Sequence, residues 1–264
     1  MTEMKNPTVS QGPLAACDLQ KSFGGNRVVD GMSLALGSGE MLGLIGPNGA
    51  GKTTMFNLLA GTLACDAGAI HLSGTDVTRT SQQGRCRLGL SRSFQIPKPF
   101  SRMTVLENVM TAAQNQAGEN VLRAMIQPRR VARQERANVA RARDLIDFVS
   151  LGHLEDQPAS FLSGGQRKLL ELARVLMTQP RVILLDEPAA GVNPALLDLI
   201  IDRIAQIHAQ GIAILLIEHN MEMIARLCPR VIVMAAGKLL AEGTPQEVTR
   251  RADVIDVYLD GAPA

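Results

Sequence analysis

The chain has 264 residues, with 27 Lys+Arg against 25 Asp+Glu, four Cys, six Phe, one Tyr and no Trp. That length holds one large domain or two small ones and can bury a real core. A formal charge of +2 and so few aromatics exclude a surface built to neutralise a nucleic-acid backbone or to stack on its bases, and 46% apolar residues exclude wholesale disorder. Cys17, Cys65, Cys86 and Cys228 lie far apart without C-x-x-C spacing, so they read as buried free thiols in a reducing compartment and not as a zinc site or disulfide framework. Apolar stretches such as Ile212–Ile217 fall far short of the roughly 20 residues that cross a bilayer. Met1–Gln11 has no apolar h-region of a secretion signal, and the expected location is cytoplasmic.

In chain order, β-type runs come first, at Leu14–Leu19, Val28–Leu36 and Met41–Ile45, punctuated by Gly24-Gly25-Asn26 and Gly37-Ser38-Gly39. The third run leads into Gly46-Pro47-Asn48-Gly49-Ala50-Gly51-Lys52-Thr53, a G-x-x-x-x-G-K-[ST] loop, and then a helical segment, Thr54–Ala60. Glycines let the backbone curl so that successive N–H groups point at phosphate oxygens, and the helix N-terminus adds its positive dipole end. Lys52 is then placed to neutralise β and γ phosphates, Thr53 to offer its hydroxyl to Mg²⁺, and Thr54 to reach the α-phosphate.

A hairpin is expected at Ala69–Ser73 with Gly74-Thr75-Asp76, and from about Pro97 to Met177 the pattern turns helical, as an insertion. Residues 121–143 carry seven Arg (Arg123, Arg129, Arg130, Arg133, Arg136, Arg141, Arg143) against one acid, Glu135. They read either as a solvated helix face or as a surface for anionic lipid headgroups. In Leu162-Ser163-Gly164-Gly165-Gln166, Ser163 and Gln166 form an S-x-x-Q capping box opening a helix to about Met177. The paired glycines leave backbone amides uncovered there, a second anion site.

After Pro180, buried-strand runs at Val182–Leu185, Ile212–Ile217 and Val231–Met234 alternate with helices at about 194–209 and 220–227. Strands apolar on both faces and separated by helices imply a parallel sheet covered on both sides. The first of these runs ends in Asp186-Glu187. A buried strand would deliver Asp186 to a Mg²⁺ shell, because hard cations prefer oxygen ligands, and Glu187 would orient and deprotonate an attacking water.

These segments, in this order, resemble the ATP-binding cassette (ABC) ATPases over nearly the whole chain. The resemblance implies an α/β P-loop ABC ATPase fold: a RecA-like mixed-sheet core with an antiparallel β subdomain (about 1–96 and 178–264) and an inserted helical subdomain (about 97–177) carrying the signature motif, all one domain over 1–264. It implies an ATP hydrolase using ATP and Mg²⁺, with Gly46, Pro47, Asn48, Gly49, Ala50, Gly51, Lys52, Thr53 and Thr54 on the nucleotide. Ser163, Gly164, Gly165 and Gln166 would close over the nucleotide of a second ABC ATPase subunit, so the working unit is a dimer. Phe23 falls at the position that stacks on adenine, where Tyr is more usual, although a core Phe also fits. Gln95, in Ser91-Arg92-Ser93-Phe94-Gln95, matches the glutamine loop that contacts Mg²⁺ or water, alongside the metal ligands Thr53 and Asp186. His219 matches the switch histidine that holds the γ-phosphate and Glu187. His71, His153 and His208 match nothing and read as surface or structural. Asn193 stands where most of the family has Asp, keeping hydrogen-bonding geometry but losing charge.

Lys21-Ser22-Phe23-Gly24-Gly25, Glu187-Pro188-Ala189-Ala190-Gly191-Val192-Asn193-Pro194, Ile217-Glu218-His219-Asn220-Met221 and the tail from Glu242 to Leu259 look like the ATPases of bacterial branched-chain amino-acid importers. The expected partners are two transmembrane permeases, a second related ATPase and, indirectly, a periplasmic solute-binding protein, with the chain peripheral on the inner face of the cell membrane and no nucleic acid bound. Thr104–Val109 falls in the region that receives the permeases. Urea, amide or aromatic-acid import and lipopolysaccharide export are the alternatives within transport. An ABC protein acting on DNA or ribosomes is disfavoured, since no coiled-coil, zinc or tandem-cassette insertion is visible, and a P-loop GTPase is disfavoured because the chain has no [NT]-K-x-D motif.

Overall fold

The computed structural model describes residues 12–93, 99–119 and 125–260. Strands β1 (Leu14–Phe23) and β2 (Asn26–Leu36) form an antiparallel hairpin with bulges, both longer than their apolar runs because cross-strand pairing carries them to the Gly24-Gly25 turn. Strand β3 (Met41–Ile45) is buried throughout and feeds helix α1 (Lys52–Ala60). Strands β4 (Ala67–Leu72) and β5 (Thr75–Asp76) complete the expected hairpin two residues early, and helix α2 (Gln82–Arg87) precedes the short strand β6 (Leu90–Arg92). Helices α3 (Val105–Met110), α4 (Pro128–Phe148) and α5 (Gly164–Met177) follow. Strand β7 (Val182–Asp186), helix α6 (Pro194–Ala209), strand β8 (Ala213–Ile217) and helix α7 (Met221–Leu227) then alternate. Strands β9 (Arg230–Ala235) and β10 (Lys238–Gly243) and helices α8 (Pro245–Val248) and α9 (Ala252–Asp260) end the described chain.

Two compact units result, one of residues 1–92, 181–189 and 204–264, the other of 93–180 and 190–203. In the first, the described strands form a four-stranded sheet in the order β2-β1-β4-β5 and a six-stranded sheet in the order β10-β9-β3-β8-β7-β6. The second sheet is parallel from β9 to β6, as apolar runs buried on both faces require, but β10 returns antiparallel along β9, so it is mixed at that edge. Leu19, Met32 and Leu36 from one sheet, Leu42, Leu44, Leu184 and Leu215 from the other, and Met55, Phe56 and Leu59 of α1 share one core. Arg85 is fully buried within it. Its guanidinium donates to Leu58 O and Leu59 O, both at 2.6 Å, and to Thr80 O and Thr78 O. Buried carbonyls at a helix C-terminus need donors, and a cation there also meets the negative dipole end, so Arg85 closes α1.

In the second unit α3, α4 and α5 pack on one another, with Val105, Val109, Ala142 and Ile146 buried. Asn108 is wholly buried: its Oδ1 accepts from Phe100 N–H at 2.8 Å, and its Nδ2 donates to the Phe100, Met103 and Thr104 carbonyls. Along α4, Arg129, Arg130, Arg133, Arg136 and Arg143 are exposed, and Arg143 pairs with Glu155 at 3.2 Å. Arg123 lies outside the described residues. The expectation of four buried thiols is corrected. Cys228 is buried and its thiol is pushed up to about 12 by that burial, whereas Cys17, Cys65 and Cys86 are half-buried; none of the four forms a disulfide. His208 Nε2 lies 2.9 Å from Gly39 O, His153 is exposed, and His71 sits half-buried on β4. No helix of the described residues is long and apolar enough to cross a membrane.

Replacing Arg85 by Met removes the guanidinium from the Leu59, Thr78 and Thr80 carbonyls, while Leu58 O keeps the Gly61 N–H. At about 1 kcal/mol or more for each buried group left unsatisfied, we expect a loss of about 3 kcal/mol in a urea unfolding titration.

Candidate functional site

The loop from Gly46 to Gly51 has to pass between β3 and α1 with almost no side-chain volume. Gly46 has φ 150°, and a Cβ there would stand 2.1 Å from Met234 O; Gly51 has φ 99°, and a Cβ there would stand 2.4 Å from Val28 O. Both conformations and both approaches exclude larger residues. Gly51 is the N-cap of α1, where no side chain covers the helix N-terminus. Asn48, Gly49 and Thr53 are exposed, Pro47 and Thr54 half-buried, and Gly46, Ala50 and Lys52 buried. Lys52 Nζ donates to Gly46 O at 2.7 Å and to Pro47 O at 2.8 Å. Burial holds this ammonium below the usual lysine range, against the opposing pull of the Glu187 and Asp186 carboxylates. A loop ringed by backbone donors, with a buried cation at its centre, is a cradle for an anion.

The carboxylates come from β7. Asp186 is buried at the strand's end, and Glu187 follows with φ 48°, a left-handed backbone unusual for a non-glycine residue, pinned by its N–H to Ile217 O at 2.9 Å. That turn points the Glu187 side chain at His219, whose Nε2 lies 3.1 Å from Glu187 Oε1. The structure therefore brings the loop, Asp186, Glu187 and His219 together in one unit. Phe23 ends β1 at 49% exposure, with Lys21 Nζ 5.6 Å from its ring centroid, so the core alternative is excluded. Gln95 lies outside the described residues.

In the second unit the capping box forms as spaced: Ser163 Oγ accepts from Gln166 N–H at 3.3 Å, and Gln166 Oε1 accepts from Ser163 N–H at 2.9 Å. The two glycines differ in purpose. Gly164 is open to solvent, but a Cβ on Gly165 would stand 1.8 Å from a methyl of Leu196, so Gly165 also gives α6 room to pack. Asn193 Oδ1 accepts from Leu196 N–H at 2.9 Å, which caps α6.

Three residues escaped the sequence reading. Glu218, buried, accepts from Ala189 N–H at 2.6 Å with one oxygen, and from His219 N–H at 2.9 Å and Asn220 N–H at 3.1 Å with the other. It ties the turn after Glu187 to the segment bearing His219; its place beside His219 was the available signal. Arg92 binds Asp186 from β6 at 2.7 Å. Tyr258 of α9 makes a backbone hydrogen bond with Gly46, and burial pushes its phenol up. Neither partnership has a sequence signal, because each joins segments remote in the chain.

Residues 29–190 match the ABC transporter family. The chain belongs to that family. It is similar to a probable branched-chain amino acid transport ATP-binding protein LivG of Archaeoglobus fulgidus, 36% identical over 242 residues that cover 92% of this chain and 93% of the relative. It is equally similar, 36% over 246 residues covering 93% and 96%, to the lipopolysaccharide export system ATP-binding protein LptB of Haemophilus influenzae. A crystal structure of the ADP conformation of an ATP-binding cassette superposes with a TM-score of 0.79 at 33% identity, covering 93% of this chain and 98% of the other. The expected P-loop ABC fold is thereby established, and the chain is the nucleotide-binding, ATP-hydrolysing subunit of an ABC transporter.

Removing the Glu218 carboxylate leaves three backbone donors unmatched. Glu218→Ala is expected to lose about 2–3 kcal/mol of stability, with Glu218→Gln between it and the parent, in chemical denaturation.

Proposed function

We propose that this subunit hydrolyses ATP with Glu187 as general base, held by His219, and that it powers import of branched-chain or other hydrophobic amino acids. The observation that carries the chemistry is the 3.1 Å approach of His219 to Glu187 at the end of β7, in the unit that also buries Lys52 and Asp186. Glu187, placed by its left-handed turn, takes the proton of the attacking water; His219 holds that carboxylate and meets the γ-phosphate; Lys52 exchanges its loop carbonyls for phosphate oxygens. Thr54 reaches the α-phosphate, Phe23 offers an exposed ring to adenine, and Gln95 completes the assignment from sequence.

The donor set fits Mg²⁺, since the hydroxyl of Thr53 and the carboxylate of Asp186 are the hard oxygens it takes beside nucleotide phosphates. When bound it would neutralise charge developing on the transferred phosphoryl group. No group of three or more His, Cys, Asp or Glu forms a cage among the described residues, and a cation shared with phosphates needs none.

The division into two compact units supports a catalytic core over about 1–96 and 178–264 with a helical insertion over about 97–177, except that residues 190–203 group with the insertion. In a dimer, Ser163, Gly164, Gly165 and Gln166 of one subunit would close the other's nucleotide site. Two permeases would dock on the insertion, where Asn108 braces a loop exposing Phe100 and Met103, and Phe161 lies 77% exposed beyond the Thr104–Pro158 bridge. Such clustered apolar exposure is costly without a partner. The chain would sit peripherally on the inner face of the membrane, and a periplasmic binding protein would deliver the solute. Lipopolysaccharide export is the second reading, favoured by the equal identity to LptB.

Glu187→Gln is expected to bind ATP like the parent, accumulate as an ATP-bound dimer and turn over at less than about a thousandth of the parent rate; steady-state hydrolysis near the parent level would exclude Glu187 as the base. Hydrolysis per subunit should rise with protein concentration, and Ser163→Ala should lower it. Purifying the chain with its native permeases and testing which solutes the accompanying binding protein retains separates amino-acid import from lipopolysaccharide export.

A further inference from the structure

Asp186 already has a cation. Arg92 ends β6, next to β7 in the sheet and in register with Leu184, and its Nη2 meets Asp186 Oδ2 at 2.7 Å with the two side chains 11% and 1% exposed. The guanidinium is anchored elsewhere too: Nη1 donates to Asn57 Oδ1 on α1 at 2.5 Å, and the group lies 5.8 Å from the Phe56 ring centroid. Asn57 is in turn held by Thr62 Oγ1 at 3.2 Å. The Nε–H of Arg92 is buried and finds no acceptor among the described residues. Spanning α1 and β7 in this way, Arg92 sets its charge directly on Asp186.

We propose that Arg92 is a positioning residue that competes with the divalent cation for Asp186 and so lowers the metal affinity of the nucleotide site. This inference rests on Asp186 as a cation ligand. One carboxylate cannot serve two cations at full strength: the guanidinium on Oδ2 withdraws charge from the ligand and repels a second cation across a poorly solvated gap. Asn57 and Phe56 keep the guanidinium from swinging away. The metal is thereby held loosely enough to leave with the product nucleotide, while Asp186 always has a buried counter-charge. The competition is reciprocal, so removing Arg92 tightens metal binding.

Mn²⁺ reports on this directly, by electron paramagnetic resonance titration of the full chain held in excess over ADP. Arg92→Met, which keeps an apolar stem against Phe56, is expected to bind Mn²⁺ at least about fivefold more tightly, the lower end of ordinary coupling between sites. Arg92→Lys keeps the charge but cannot reach Asn57 and Asp186 at once, and should tighten binding by about twofold. ADP affinity in EDTA should be unchanged in both. Asp186→Asn should weaken Mn²⁺ binding and abolish the gain from Arg92→Met. Unchanged or weaker Mn²⁺ binding in Arg92→Met, or a loss of ADP affinity in EDTA, overturns the proposal. If Arg92→Met does not fold, Arg92→Lys decides by the same measure. Unaltered Mn²⁺ binding in Asp186→Asn would instead overturn Asp186 as the ligand.

Discussion

A carboxylate at the end of a fully buried strand has to be matched by positive charge from within the protein, and the nucleotide unit is arranged around that requirement. Asp186 is taken out of water by β7 and met by Arg92 from β6; Lys52 is taken out of water by α1 and met by two loop carbonyls. Burial of either charge unpaired would cost several kcal/mol. Each charge is thus held by a partner it can share, and a nucleotide with its metal brings groups of the complementary signs to both. The parallel order of β6, β7, β8 and β3 is what lines these charges up at the C-terminal ends of the strands.

One of these strand ends carries local strain. Glu187 adopts a left-handed backbone that a non-glycine residue holds only when its surroundings impose it. Here the imposing groups are Ile217 O, which takes its N–H, and Glu218, which gathers the amides of Ala189, His219 and Asn220. Charged oxygens accepting several backbone N–H groups make strong, directional bonds. The relative position of Glu187 and His219 therefore depends on a residue whose own side chain is sealed from solvent.

The helical unit follows a different economy. Its helices bury an apolar stripe each, but the loop braced by Asn108 spends four hydrogen bonds on keeping Phe100 and Met103 at the surface. A buried side chain that stabilises an exposed apolar loop is intelligible if the loop has a partner. Along α4 most of the arginines are exposed, and Arg143 is matched by Glu155 within the unit.

Much of this was written in linear patterns. Strand β3, helix α6 and the S-x-x-Q cap obey local rules, since five consecutive apolar residues, a 3.6-residue period and a Ser three residues before Gln each act within a few positions. Gly46–Thr54, Asp186-Glu187 and His219 were legible because each sits where a strand meets a turn. What the linear pattern could not carry was which distant segments share one buried charge. Arg92 reads as an ordinary surface-type residue until β6 and β7 pair; Gly165 reads as an open amide until Leu196 packs on it; three of the four thiols read as core until the sheets leave them half-covered. Propensity, periodicity and motif spacing are properties of neighbours along the chain, so the amino-acid order was enough for the elements and the phosphate loop. Charge compensation and close packing are properties of neighbours in space, and only folding settled those.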